Sequence, residues 1–133
     1  MQDHKNIFHT GEIGVSCDDI SLAQKTLEPI LHKTGLIESQ FFSREYGNRV
    51  FLKPENFQVT GSFKIRGAYY KISKLSEEEK SKGVIAASAG NHAQGVGYAA
   101  QMLGVKATIV MPETTPIIKV EATKKFGVQV VLH

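Results

Sequence analysis

The stretch that decides the fold runs from Val84-Ile85-Ala86-Ala87-Ser88-Ala89-Gly90-Asn91-His92-Ala93-Gln94-Gly95 through Ala107-Thr108-Ile109-Val110-Met111 to Val128-Gln129-Val130-Val131-Leu132. It reads as an apolar strand from Val84 to Ser88, a helix from about Asn91 to Leu103, and a strand from Ala107 to Met111. A helix from Pro116 to Phe126 and a strand from Val128 to Leu132 follow. Gly104 and Gly127 stand where helix C-termini take glycine, and Pro116 suits a first helical turn. Strands rich in Val and Ile without polar alternation are those of a parallel sheet covered on both faces. The segment is therefore a right-handed β-α-β-α-β unit of the α/β class.

Working outward toward the N-terminus, Asp18 or Asp19 is expected to cap a helix through Ile20, Ala23, Leu27, Ile30 and Leu31, ended or kinked by Pro29. Arg49 to Lys53 reads as a short strand broken by Pro54-Glu55-Asn56. A helix is expected from about Ser62 to Leu75, with Phe63, Gly67, Tyr70 and Leu75 near one face and Lys71 and Lys74 solvated. Ser76-Glu77-Glu78-Glu79 looks like a second capped helix start. At the other end, a buried final strand with nothing after it would leave a face or edge bare, so the fold is expected to be incomplete within this sequence.

With 133 residues and 41% hydrophobic content, the chain is long enough for one globular unit with its own core. Its net charge of +3 comes from basic residues scattered singly or in pairs such as Lys124-Lys125, which gives no basis for nucleic-acid binding. The single cysteine, Cys17, rules out an internal disulfide framework and fits a reducing compartment; the expected location is the cytoplasm. The opening MQDHKNIFHTGEIG has the pattern of neither a signal nor a transit peptide, and no run approaches the roughly 20 apolar residues of a membrane span.

Two segments at transitions into helices carry the candidate chemistry: Thr60-Gly61-Ser62-Phe63-Lys64-Ile65-Arg66-Gly67-Ala68 and Ser88-Ala89-Gly90-Asn91-His92-Ala93-Gln94-Gly95. In an open parallel sheet, ligands gather at the carboxyl ends of strands, where helix N-termini point N–H groups at anions. The second segment follows a strand directly and is placed to hold a carboxylate or phosphate. Lys64 lies in the first turn of its helix, where the helix dipole and any partial burial favour the neutral amine that can form a Schiff base. On those grounds alone, a solvated surface lysine is the commoner outcome. Neither segment is a Walker A loop, and the glycines at 90, 95 and 97 do not match the dinucleotide fingerprint.

Together, TGSFKIRGA and SAGNHAQG resemble the two N-terminal motifs of the serine/threonine dehydratase branch of the type II pyridoxal-phosphate enzymes, at that family's spacing. FLKPEN, LGVKATIVMPETTP and FGVQVVLH are similar to it as well, and the likeness runs from about Asp18 to His133. The resemblance implies a tryptophan synthase beta-like fold, a parallel sheet with flanking helices. It divides the chain into a polar N-terminal segment (1–17), the start of a large domain with the cofactor lysine (18–83) and the β-α-β-α-β of a small domain (84–133). The remainder of the enzyme, including a glycine-rich phosphate loop and a partner for the pyridine nitrogen, would lie outside this sequence.

The implied activity is pyridoxal 5'-phosphate-dependent elimination and deamination of L-threonine, and also L-serine, to 2-oxobutanoate or pyruvate and ammonia. Lys64 would form the Schiff base and act as the base at the substrate Cα, and Phe63 would pack beside the cofactor ring. Asn91 would bond the cofactor 3-hydroxyl, while Ser88, Gly90, Asn91 and His92 would bind the substrate carboxylate. Ala89 stands where serine racemases commonly carry a second serine, which favours elimination over racemisation. The alternatives are a serine racemase and a non-catalytic remnant. Full-length family members are expected to be homo-oligomers, and this chain alone is expected to be inactive. His4, His9, His32 and His133 stand apart from any Cys or acidic cluster and are read as surface residues, with no metal site. Arg66 and Gln94 are read as organising local structure.

Overall fold

Residues 14–133 are described by the computed structural model. Helix α1 (Cys17–Leu27) begins one turn earlier in the capping sense than the aspartates imply: Ser16 is the cap. Its hydroxyl accepts from the Asp19 N–H at 3.1 Å, and the Asp19 carboxylate accepts from the Ser16 N–H at 2.8 Å, so Asp19 serves as the acid of a capping box. The helix stops at Leu27, two residues before Pro29. Ser76 and Glu79 build the same box for the short helix α4 (Glu77–Lys82), as the sequence pattern anticipated.

Between α1 and the lysine segment lies a region whose pattern was only half legible. Strand β1 (Ile37–Glu38) pairs antiparallel with β2 (Phe51–Leu52), and helix α2 (Gln40–Tyr46) bridges them. The strand expected over Arg49 to Lys53 is thus confined to two residues, and β1 and α2 were not foreseen. Phe41, Phe42 and Tyr46 are all exposed, so no apolar stripe announces α2; its signals are the Ser39 cap and Gly47 just past its end. A 3-10 turn, Glu55–Phe57, then leads into the loop before Lys64.

Helix α3 (Lys64–Ser73) starts at the lysine itself, and its buried face is Ile65, Ala68 and Ile72. This corrects the expected face: Phe63 and Gly67 are exposed, because the i, i+3, i+7 set led by Ile65 meets the neighbouring helix instead. That neighbour is α5 (Asn91–Leu103), which lies between α3 on one side and the sheet on the other. The sheet consists of β3 (Val84–Ala87), β4 (Ala107–Met111) and β5 (Gln129–Leu132), parallel and in sequence order, with helix α6 (Ile117–Lys124) packed against α5 and β5. These elements agree with the expected β-α-β-α-β unit to within two residues at each end. Gly104 closes α5 in the left-handed conformation at φ 66°.

Ala107, Ile109 and Met111 of β4 are buried, on the face that meets the helices. The opposite face, with Ile85, Ala87, Thr108, Val110 and Val131, is part-exposed to exposed, Ile85 at 73%. The expectation of a sheet covered on both faces therefore holds for one face only among the described residues; the Val/Ile content that prompted it is present on both. No helix among the described residues is long and apolar enough to cross a membrane.

Helix α5 can occupy the middle of the fold because it is built of small residues. Ala93, Gly95, Gly97, Ala99 and Ala100 are all buried. A methyl group added at Gly95 would sit 3.1 Å from the Lys64 carbonyl carbon and 3.2 Å from the Ile65 nitrogen, both backbone atoms that have no freedom to yield. Gly67, in contrast, has nothing within 4 Å of such a methyl. Gly95→Ala should therefore destabilise the chain by about 1–3 kcal/mol through overpacking. Gly67→Ala should stabilise it by roughly 0.5–1 kcal/mol through helix propensity. Urea unfolding of the two variants checks this, and equal midpoints would contradict the close approach.

Candidate functional site

The first two helical turns that matter lie side by side because of Gly95. One turn of helix separates Gly95 from Asn91, about 6 Å along the axis. The backbone of Lys64 and Ile65, resting on Gly95, is thus brought next to the first turn of α5. Residues 27 positions apart in sequence, Lys64 and Asn91, come to head two packed helices.

Both helices begin without a side-chain cap. Phe63 and Gly90 precede α3 and α5, and neither supplies a capping hydrogen bond, whereas Ser16, Ser39 and Ser76 cap α1, α2 and α4. Asn91 and His92 are exposed, and their N–H groups point out of the positive end of a 13-residue helix. Gly90 is differently engaged, since its N–H donates to Ser88 Oγ at 3.2 Å. Ser88 in turn is fixed by its own N–H, which donates to the Val110 carbonyl at 3.0 Å and ties the turn to β4. This turn lies at the carboxyl end of β3, the end at which parallel sheets collect ligands.

Lys64 is exposed, so the partial burial invoked for it from sequence is not found in this chain. Its Nζ lies 5.2 Å from the centre of the Phe63 ring, which is 58% exposed and presents a flat apolar surface beside the amine. Two hydroxyls were given no role from the sequence: Thr60, in the loop before Lys64, and Thr115, in the turn after β4. Their Oγ1 atoms are buried without a hydrogen-bond partner among the described residues. Only a contact map reveals such groups, because threonine in a loop is otherwise unremarkable.

Arg66 does not reach toward this cluster. Its guanidinium grips Glu55 through two bonds, Nε to Oε2 at 2.9 Å and Nη2 to Oε1 at 2.8 Å, and Thr34 Oγ1 adds a third to the same carboxylate at 3.2 Å. Gln94 is part-buried on α5. His32 is tied to the lysine loop through its backbone, while His133 is exposed and its N–H donates to the Met111 carbonyl at 2.9 Å. His4 and His9 lie outside the described residues. The two cavities of note lie away from Lys64 and Asn91: one of about 430 Å³ at the amino ends of the strands, around Gly83 and Lys106, and a groove of about 1070 Å³ between α1 and α3.

Residues 27–133 match the model of the family described as pyridoxal-phosphate dependent enzyme. The chain is 54% identical over 119 residues to the L-threonine ammonia-lyase of Thermotoga maritima, covering 90% of this chain and 30% of that protein. Among solved structures it resembles the maize serine racemase, with 41% identity, a TM-score of 0.80, and coverage of 86% of this chain and 35% of that one. The processed form of threonine deaminase isoform 2 from Solanum lycopersicum matches with 42% identity and a TM-score of 0.76, over 90% of this chain and 34% of that one. The chain thus spans about a third of the length of these relatives. The groups assembled here suit a planar aromatic aldehyde bearing anionic substituents: an exposed amine, an exposed ring beside it, and uncapped helix N–H donors facing open space.

The Arg66 guanidinium holds the Glu55 carboxyl below the ordinary glutamate value, and Glu55 raises Arg66 in return. Because the folded-state value is the lower one, this contribution is complete above the ordinary glutamate range and is lost as pH falls through the lowered value. Asp19 and Glu79 are lowered as well, chiefly by the Ser16 hydroxyl and the Ser76 backbone N–H respectively, and act in the same direction. Glu55→Gln should cost about 1 kcal/mol at neutral pH, after allowance for solvent screening of the part-exposed Arg66, and should make the acid limb shallower without abolishing it. Urea midpoints followed from neutral to acid pH measure this; an unchanged acid limb would deny Glu55 that share.

Proposed function

The chain belongs to the family of pyridoxal-phosphate-dependent enzymes, and from that premise we propose that it is the lysine-bearing part of an L-threonine ammonia-lyase. In that reaction the Cα proton and the β-hydroxyl leave L-threonine or L-serine as water, and water then hydrolyses the released enamine to 2-oxobutanoate or pyruvate and ammonia. The observation that carries the reading is the pairing of Lys64 with the uncapped first turn of α5 across Gly95. The 54% identity to an L-threonine ammonia-lyase supports the choice of reaction.

Pyridoxal phosphate, when bound, supplies the electron sink that makes the substrate Cα–H acidic. Lys64 supplies the amine that holds the cofactor and then takes the Cα proton on its Nζ. The Phe63 ring, its centre 5.2 Å from that amine, would cover one side of a flat ligand and keep water from it. The Asn91 side chain would hydrogen-bond the cofactor's 3-hydroxyl. The N–H groups of Asn91 and His92 orient the substrate carboxylate, aided by the Ser88 hydroxyl, which still has a proton to donate after accepting from Gly90. Gly90 contributes by leaving open space where a side chain would stand.

Racemisation would need a second acid on the opposite face of Cα. Ala89 offers a methyl group there, and a methyl cannot deliver a proton. Among the relatives, this favours the ammonia-lyase reading over that of the serine racemase. The substrate is a small amino acid, the working form is a homo-oligomer, and the location is cytoplasmic, all within the same proposal.

Incubating the chain with pyridoxal phosphate and reducing with borohydride should place the label on Lys64, with the Lys64→Ala variant losing that label entirely. Asn91→Ala should lower the labelled fraction at subsaturating cofactor by roughly threefold, the worth of one neutral hydrogen bond. Peptide mapping by mass spectrometry reads both. Label spread evenly over the exposed lysines, in the variant as in the parent chain, would sink the assignment of Lys64.

A further inference from the structure

The segment Phe51-Leu52-Lys53-Pro54-Glu55-Asn56 has no part in the chemistry assigned above, yet it sits against the helix that carries the lysine. Its Glu55 accepts two hydrogen bonds from Arg66 at 2.8 and 2.9 Å, and Arg66 lies two residues beyond Lys64 in the first turn of α3. The Glu55 side chain is only 15% exposed and holds a further bond from Thr34. The turn that bears Glu55 is itself strapped down. The amide of Gln58, 4% exposed, accepts from the His32 N–H at 2.8 Å and donates to the His32 carbonyl at 3.2 Å, copying the exchange of two bonds made by paired strands.

Besides the contact of its Lys64–Ile65 backbone with Gly95, the first turn of α3 has little to fix its rotation. It lacks a side-chain cap, and the one side chain near its leading N–H, the Ser62 hydroxyl, is a long 3.4 Å away. Ile65, fully buried, anchors one side of the turn against α5. Two points are needed to set both the depth and the rotation of a helix end, and a forked guanidinium–carboxylate pair is directional in a way that an apolar contact is not.

We infer that Glu55 and Arg66 are positioning residues for Lys64: their bidentate pair, seated on the turn that Gln58 straps to His32, sets the rotation of the first turn of α3 and so the direction in which the lysine side chain leaves it. The inference rests on the reading of Lys64 as the reactive lysine. It gives FLKPEN a task, that of a fixed acid set 11 positions before its arginine.

The test compares the full chain with Glu55→Gln, which keeps the shape and removes the charge, and Arg66→Lys, which keeps the charge and removes the fork. Two quantities are measured. Hydrogen exchange at the Ala68 and Tyr69 amides reports the first turn, since an α-helix bonds them to the Lys64 and Ile65 carbonyls. Borohydride-trapped pyridoxal phosphate on Lys64, counted against label on Lys53 and Lys71, reports where the amine points. Both variants should speed exchange at those two amides about tenfold more than at the α5 and β4 amides, where the shared loss of global stability reads about fivefold, and should lower the Lys64 share of label severalfold. Unchanged exchange at Ala68 and Tyr69 would overturn the inference, and so would a uniform rise across all elements, which would mark the pair as a general stabiliser. If the exchange result is as expected but the parent chain shows no preference for Lys64, the proposed function fails and the pair still stands as the determinant of the turn.

Discussion

Everything at the site depends on the approach of two helix backbones at Gly95. The Lys64–Ile65 peptide lies where a Gly95 side chain would be, at a little over 3 Å. This contact is the cheapest way to bring an amine and a set of helix N–H donors together, because neither helix has to bend. It also explains the composition of α5: a helix pressed by α3 on one side and by β3 and β4 on the other buries mainly alanine and glycine, with Val96 the one larger buried residue of the helix. Gly97 makes room in the same way for Phe126, whose ring packs edge-on against Tyr98. Glycine within a helix weakens it, by up to about 1 kcal/mol each against alanine. The loss is offset by the burial of Ile65, Ala68 and Ile72 that the close approach permits.

A consequence is that α3 and α5 pack as one body although Gly83 lies between them in sequence, where the sequence reading expects one domain to give way to the next. The lysine's placement is then a matter of the loop before it. Gln58, Thr60 and Ser62 are all buried, alternating with residues that are less so. A loop that buries alternate polar side chains behaves like a strand with one inward face, and Gln58 supplies the ladder bonds that such a strand would need. Thr60, four residues before Lys64, is the member whose hydroxyl has no partner among the described residues.

The parts of the fold that the sequence made legible are those where one signal is repeated by another. For α5, apolar character, a glycine turn before it and Gly104 after it all agree, and both ends come out at Asn91 and Leu103. For α4, the spacing of Ser76 and Glu79 was enough. Legibility failed where burial is imposed by a distant partner. The α3 face could not be chosen between the Phe63 and Ile65 sets without knowing that α5 lies alongside, since both sets contain apolar residues at helical spacing. Helix α2 and strand β1 escaped because their apolar residues are exposed, so periodicity has nothing to report. At the site, Lys64 and Asn91 could be singled out by their motifs; that their helices meet at Gly95, and that Arg66 pairs with Glu55, are facts of packing that a linear pattern does not encode.

The two halves of the chain differ in how firmly they are held, and the candidate site stands on the firmer one. The β1–β2 pair is two residues long in each strand, and its aromatic neighbours Phe41, Phe42 and Tyr46 cluster with one another at the surface rather than with the core. Such a unit opens locally at little cost. The core proper runs through Ile65, Ile72, Val96, Ile109 and Val120, joining α3, α5, β4 and α6. The lysine and the α5 turn both rest directly on it. Glu55 lies at the seam between the halves: its carboxylate stands on the turn that Gln58 straps to His32, and its partner Arg66 on the core helix. A pair at that place couples the two, because opening the N-terminal region exposes a charge on each side that had been partly desolvated. On the proposed reading, Lys64 stands on rigid packing and takes its direction from the strapped turn before α3, through one ion pair.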